Sequence, residues 1–417
     1  MMTNEVLSTP IEGSDARPSS MRQAVGLVLL LGISYMFNAM DRQVFPALLG
    51  SIRADYGLTL PEAGFVSTVF TVNVAIFAAL SGWFMARFGR RYVLLGGLVC
   101  YSLFTLLTPL ATGFVSLTVL RALTGVGEAL QVGAVFACMG AYFGARRGAA
   151  MGAMQTFFGL GAFLGPVLGT RLETWAGSWS VSFYAYGVAG IAMAIVAALV
   201  IPLEFTDAGP APSLGRNTEM PTASIWTHNL VLSAVSFGFV GFSFFSYSAL
   251  YANYAHTVLG FSVVDAGAAF GMYGVGAMLG VFGGWLGDKI SNRSIVGGLL
   301  LMATAGYVLF DGVPQFRLHL LLSLIFGLTM SGFLFTRFMS VVQRSVDPSQ
   351  IGYAGAVALA AFYLPGPFAG WLFGKLAETA GWSTASLLVV VGPPLLGVVL
   401  MSLYDFSKMR KDQGASR

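Results

Sequence analysis

A chain in which stretches of roughly 20 apolar residues recur from one end to the other has few folds open to it, because each stretch is long enough to cross a hydrocarbon core as a helix. Twelve such stretches are present, at approximately 24–48, 62–86, 92–112, 115–141, 149–171, 181–203, 229–252, 265–287, 294–312, 318–342, 351–374 and 384–404. Lipid offers backbone N–H and C=O groups no partner, so these segments close their hydrogen bonds internally. The chain is only 10% charged, where a soluble domain carries roughly 25%. The expectation is an all-α membrane protein with twelve transmembrane helices.

The twelve fall into two sets of six. Between helices 6 and 7 the residues turn polar and rich in Pro, Gly, Thr and acids, which marks a linker at 204–227. The expected organisation is a tail (1–21), a six-helix bundle (22–203), the linker, a second six-helix bundle (228–405) and a tail (406–417). The polar, Ser- and Pro-containing start reads as a tail and not as a cleaved signal peptide. Two dipeptides repeat between the sets: Gly82-Trp83 as Gly284-Trp285, and Gly165-Pro166 as Gly366-Pro367, at offsets of 202 and 201 residues. A duplicated unit of this kind points to alternating access around a site near the bilayer midplane.

Lys and Arg fix an orientation. Placing both termini in the cytoplasm puts Arg87, Arg90, Arg91, Arg146, Arg147, Arg216, Lys289, Arg293 and Arg344 inside, and leaves Arg53, Arg171, Arg317 and Lys375 outside. The expected location is a cell's inner membrane. The net charge of +4 is spread between apolar segments, not gathered in a patch, so nucleic acid is not an expected partner. Cys100 and Cys138 lie inside apolar runs as small hydrophobes. No Cys or His spacing suits a metal, and no cofactor is expected.

Against this apolar background a few charges stand out. Asn38-Ala39-Met40-Asp41-Arg42 lies late in helix 1, and Arg121 and Glu128 interrupt helix 4. Ionisable groups at membrane depth are costly and mark sites by default. Arg121 and Glu128 are seven residues apart, two turns, and share a face that Gln131 continues. Asp41 and Arg42, as neighbours, diverge by about 100°, so one is expected to reach toward helix 4 while the other faces a cavity. The plainest reading is a buried Arg121–Asp41 pair that fixes packing, yet desolvating both ions costs several kcal/mol each. Glu128 has no arginine forced beside it. An arginine fork suits a carboxylate ligand. If such a ligand takes an arginine, the acid it leaves gains proton affinity, and anion and proton then favour each other's binding.

Gln155, Tyr363, and the Tyr247, Tyr251 and Tyr254 series of helix 7 are further candidates for the cavity wall. Arg337 is expected to snorkel to the inner surface. His228, His256 and His319 fall at predicted helix ends, which argues against a histidine relay. The spans hold no catalytic constellation, so an enzyme is not expected, and the tails are short for a signalling domain.

Gly82-Trp83-Phe84-Met85-Ala86-Arg87-Phe88-Gly89-Arg90-Arg91 resembles the signature loop between helices 2 and 3 of the major facilitator superfamily, with Ala86 where that pattern has Asp. The second copy keeps the acid as Asp288, followed by Lys289. The resemblance implies a twelve-helix fold of two pseudo-symmetric halves, a monomer, and a cytoplasmic gate of Gly82, Arg87, Gly89, Arg90, Arg91, Asp288 and Lys289, whose basic residues latch onto helix ends and acids of the other half.

Asn38-x-x-Asp41-Arg42 and Arg121-x-x-x-Gly125-x-Gly127-Glu128-Ala129 resemble the anion:cation symporter family, with Ala39 where that family has Tyr. This implies a symporter importing a small organic anion, such as a monocarboxylate, with protons. Asp41 and Glu128 would carry the protons, and Arg42, Arg121, Asn38, Gln131, Gln155, Tyr247, Tyr251 and Tyr363 would bind substrate. The same two motifs resemble spinster-like transporters, which implies lysolipid or amphiphile movement; a laterally open, apolar cavity between helices 5 and 8 would favour that reading. Gly161-x-x-x-Gly165-Pro166-x-x-Gly169 resembles the antiporter motif of drug exporters and implies export by proton antiport, although small residues also serve close helix packing.

Overall fold

A computed structural model describes residues 21–143, 147–206, 225–280, 290–291 and 293–409. These residues are helical with short connections and contain no strand. Ten helices are long and apolar enough to cross a membrane: α1 (Val25–Ala47), α2 (Leu60–Phe88), α3 (Arg90–Leu110), α4 (Phe114–Tyr142), α5 (Ala150–Ala176), α6 (Ser180–Val200), α7 (His228–Thr257), α10 (Phe316–Arg344), α11 (Ile351–Ala380) and α12 (Trp382–Ser402). Two shorter apolar helices, α8 (Val263–Met278) and α9 (Ser294–Leu309), lie between α7 and α10. The span expected at 265–287 is therefore described only in its first part. Gly284, Trp285, Asp288 and Lys289 fall outside the described residues, as do most of the linker and the two tails.

Turns between helices are tight where glycine allows it. Gly89, with φ +85°, is the single residue between α2 and α3, and Gly381, with φ +82°, separates α11 from α12. An L-residue with a Cβ would be strained at either angle.

The helices meet across two seams that the sequence repeat relates. The matching dipeptides equate α5 with α11 and α2 with the region of α8, and α2 packs on α11 just as α5 packs on α8. Both seams are backbone contacts. A Cβ on Gly64 of α2 would collide with the Gly370 carbonyl of α11, and one on Gly274 of α8 would collide with the α5 backbone at Phe163. Such small-residue contacts drive helix association where lipid removes the hydrophobic incentive.

The α2–α11 seam is fastened at the end of the bundle away from Met21. Thr59 and Glu62 form a capping box at the start of α2, and the Leu60 N–H donates to Glu378 Oε1 of α11 at 2.8 Å. Glu378 sits in the last turns of its own helix, where the dipole disfavours an anion, and reaches a helix N-terminus, where it is favoured.

At the opposite end lie the loop basics Arg87, Arg90 and Arg91. Arg91 donates to the carbonyls of Ile201 and of Ala198, the latter at 2.5 Å, at the C-terminus of α6. Arg90 donates to Thr206 O. The Arg91 partners close the C-terminus of α6, where the negative end of the helix dipole lies behind them, and the Arg90 partner lies at the start of the linker. Arg87 is exposed beside Phe88.

Among the described residues two stretches are wound as π-helix, Leu328–Leu334 in α10 and Leu387–Val391 in α12. Such wide turns free backbone groups and recur at functional sites.

Candidate functional site

The charges of α1 and α4 meet in the interior. Asn38, Arg121, Glu128 and Gln131 are fully buried, and Asp41 and Arg42 nearly so. The glycines of the α4 motif make this possible. Gly125 lies against the Phe70 backbone of α2, and Gly127 against Gly97 and Tyr101 of α3; a Cβ at either position would collide. With α4 drawn this close, side chains on its Arg121–Glu128 face reach α1 directly.

Two ion pairs result. Arg42 Nε lies 2.7 Å from Glu128 Oε2, and Arg121 Nη1 lies 3.6 Å from Asp41 Oδ2. Two expectations are corrected here. Both Asp41 and Arg42 engage α4, not one of them, and Glu128 does have an arginine beside it. The reason is reach: the α4 partners are two turns apart, about 10 Å along the axis, and the two long arginine side chains extend to opposite partners, which cancels the divergence of Asp41 and Arg42.

The two pairs are not equally satisfied. Asp41 Oδ1 accepts a 2.6 Å hydrogen bond from Thr105 of α3. Arg121 has no hydrogen bond on any of its three guanidinium nitrogens. Besides the pair with Asp41, it rests on aromatic faces, 4.8 Å from the Phe45 centroid and 5.9 Å from that of Phe70. Arg42 lies 5.8 Å from the same Phe70 ring, so both cations approach one ring. Cation–π contact offsets part of the desolvation, but a guanidinium with five donors and no hydrogen bond is a poor packing device.

Asn38 and Gln131 form a chain of their own. Asn38 Nδ2 donates to Gln131 Oε1 at 2.9 Å, and Gln131 Nε2 donates to Ser34 at 3.1 Å. These amides brace α1 against α4 beside the charges.

Two of the expected residues link the first set of helices to the second. Tyr363 of α11 lies close enough to Arg42 to hydrogen-bond it. Gln155 Nε2 of α5 donates to Ser331 at 3.2 Å, in the π-wound part of α10. Tyr247 and Tyr251 do not come to the centre. Tyr247 donates to Ser323 at 3.1 Å and packs 4.4 Å from Phe326, and Tyr251 bonds His319 at 2.8 Å. Both are buried within the second set, where the series with Tyr254 packs on α10 and Phe310. His319, expected at a helix end, is fully buried there, and Arg337 is buried as well and does not snorkel.

Several central residues were not singled out by sequence. Thr105, Phe45, Phe70 and Ser331 sit in plain apolar runs with no local signal. Tyr35 did carry one: Tyr35, Asn38 and Arg42 recur at helical spacing on one face of α1. Tyr273 of α8 and Tyr35 both lie within electrostatic reach of Arg42. The helix 5 glycines Gly161, Gly165 and Gly169 pack on Met36, Met40 and Val44 of α1, the close-packing role.

Among the described residues no cluster of His, Cys, Asp and Glu could hold a metal ion.

Comparison with known proteins gives consistent matches. The profile of the Major Facilitator Superfamily matches residues 31–370. The chain is 29% identical over 136 residues to the niacin transporter NiaP of Acinetobacter baylyi, covering 32% of this chain and 31% of that one. It is 33% identical over 102 residues to the hexuronate transporter of Bacillus subtilis, covering 24% of each. These matches thus span a quarter to a third of the relatives' length. A solved structure of a bacterial homolog to the human lysosomal transporter spinster, inward-facing and occupied, superposes with a TM-score of 0.77 at 17% identity, covering 94% of this chain and 99% of that one. At that identity the likeness is one of fold.

Proposed function

Because the chain belongs to the Major Facilitator Superfamily, whose members are membrane transporters, we propose that it is a proton-coupled symporter of a small organic anion, a monocarboxylate, working by alternating access. The observation that carries this reading is the pair of buried ion pairs joining α1 to α4, with Arg121 unsatisfied in hydrogen bonds. An incoming carboxylate competes with Glu128 or Asp41 for an arginine. The displaced acid, buried and without its counter-ion, takes a proton. Loaded with both, the centre is close to neutral and costs less to carry through the closed state.

The transport of small organic acids by relatives supports this substrate class. Both shorter helices would cross the membrane, giving twelve spans in two halves, with termini in the cytoplasm and the Glu378 contact on the outer face.

Movement of a lysolipid is the alternative, and the structure disfavours the route expected for it, since α5 and α8 touch backbone to backbone. A lateral apolar hollow of about 400 Å³ lies between α7 and α11 and is lined by Trp226, Phe239, Phe242 and Val357 among others.

The test is uptake of labelled carboxylates into proteoliposomes, with and without an inward proton gradient. Gradient-driven accumulation that Glu128→Gln abolishes supports symport. Accumulation with the same pH dependence in that variant contradicts it.

A further inference from the structure

The two asparagines near the ends of α7 are held differently. Near its start, Asn229 donates to the Asp405 carbonyl at 2.8 Å and accepts from the Asp405 N–H at 3.2 Å, so its amide is satisfied within the second set. Near the other end, Asn253 is 2% exposed, and among the described residues neither its amide nitrogen nor its amide oxygen has a hydrogen-bond partner. What it faces belongs to the first set. Gly50 lies in the short helix Leu49–Tyr56 that joins α1 to α2, and a Cβ there would come 3.6 Å from Asn253 Oδ1 and 3.7 Å from the His256 ring. His256 is turned to its own set, since its Nδ1–H donates to the Phe261 carbonyl at 2.8 Å. α7 packs as well on α1 and on the start of α2, where Ser67 is buried with its hydroxyl also unpaired among the described residues.

We propose that Asn253 is a conformational spring in the seam between the two sets of helices at the end of the bundle away from Met21. It is set against the contacts that close this seam, the Gly64–Gly370 approach and the bond from Leu60 N–H to Glu378. The inference rests on the alternating-access reading above, in which this end opens to the outside. A buried amide with no partner forfeits the hydrogen bonds that water gives it when the seam is open. The closed form is thus less stable than the same packing around an apolar side chain, and the open form is correspondingly more populated. Backbone contacts between glycines favour closure, and the unmet amide offsets part of that, which keeps the two forms close enough in free energy to exchange.

The experiment reads the opening of the seam directly. Ser67→Cys, in a Cys100→Ala and Cys138→Ala background, is labelled with a water-soluble maleimide in nanodiscs, where both faces of the bundle meet the reagent. Adding Asn253→Leu should slow labelling about tenfold, a shift of about 1.4 kcal/mol and so of the size expected for one unmet polar group, and should raise the unfolding temperature. Adding Asn253→Asp at alkaline pH, which puts a charge where the amide was, should speed labelling severalfold. Equal rates in all three proteins, or faster labelling with Asn253→Leu, overturns the spring. If Asn253→Leu does not fold, the Asn253→Asp comparison decides, and an unchanged rate there overturns it. The labelling needs no substrate, so a parent protein that shows these rates but no proton-driven uptake contradicts symport and leaves the spring standing.

Discussion

Arg42 and Glu128 come from different helices, 86 positions apart in the chain, yet their side chains meet at 2.7 Å. Neither end of this pair is exposed enough to be solvated in its place. Removing one partner therefore leaves a buried charge, whereas replacing it with a ligand of the same sign does not.

Glu128→Gln separates binding from coupling. It removes the proposed proton carrier but leaves both arginines, so anion exchange between two equally loaded compartments should persist. Accumulation driven by a proton gradient should fall by at least a hundredfold. Counterflow and gradient-driven uptake, measured on one preparation, read the two quantities separately.

Arg121 and Asp41 should behave as a unit. Arg121→Ala leaves Asp41 buried beside Thr105 without its counter-ion and should cost about 3–5 kcal/mol of stability. Arg121→Ala combined with Asp41→Ala should be more stable than Arg121→Ala alone. Thermal unfolding in detergent across the four-member cycle gives the coupling energy.

Glu378 should hold the α2–α11 seam. Glu378→Ala removes the acceptor for the Leu60 N–H, a loss of about 1 kcal/mol by analogy with helix caps, and Glu378→Gln, which keeps an oxygen, should lose less. Thr71, fully buried and against Gly366 of α11 in this seam, reports the outcome. Thr71→Cys should react with a thiol reagent several times faster in the Glu378→Ala background. No change in rate would show that the glycine contacts hold the seam without it.

Gly125 and Gly127 should tolerate no side chain. A Cβ at Gly125 meets the Phe70 backbone, and at Gly127 the backbone of α3. Gly127→Val should push α4 off α3 and abolish folded protein, read as loss of a monodisperse peak after extraction. Gly96, with open space around its Cβ position, is the control: Gly96→Ala should behave as the parent.

The spans and the charged motifs were legible because each is local. Apolar length fixes a helix, and an ion inside one declares itself. Pairing was less so. Seven-residue spacing put Arg121 and Glu128 on one face, but which acid each arginine takes depends on how closely α4 approaches, and that is set by glycines read only as a motif. The tyrosines of helix 7 show the limit: helical spacing placed them on one face without saying whether that face looks to the centre or into the second set, and their partners Ser323 and His319 lie some 70 positions away in the chain. Ser331 was invisible for a similar reason, since its place depends on a π-wound stretch that nothing in Leu328–Leu334 announces.

The most direct test of the account is proton movement itself, followed with a pH-sensitive dye outside liposomes that hold the purified protein. Adding an accepted carboxylate should alkalinise the outside at once in the parent and not in Glu128→Gln. Carboxylate entry with no change in outside pH, or the same alkalinisation in Glu128→Gln, would contradict it.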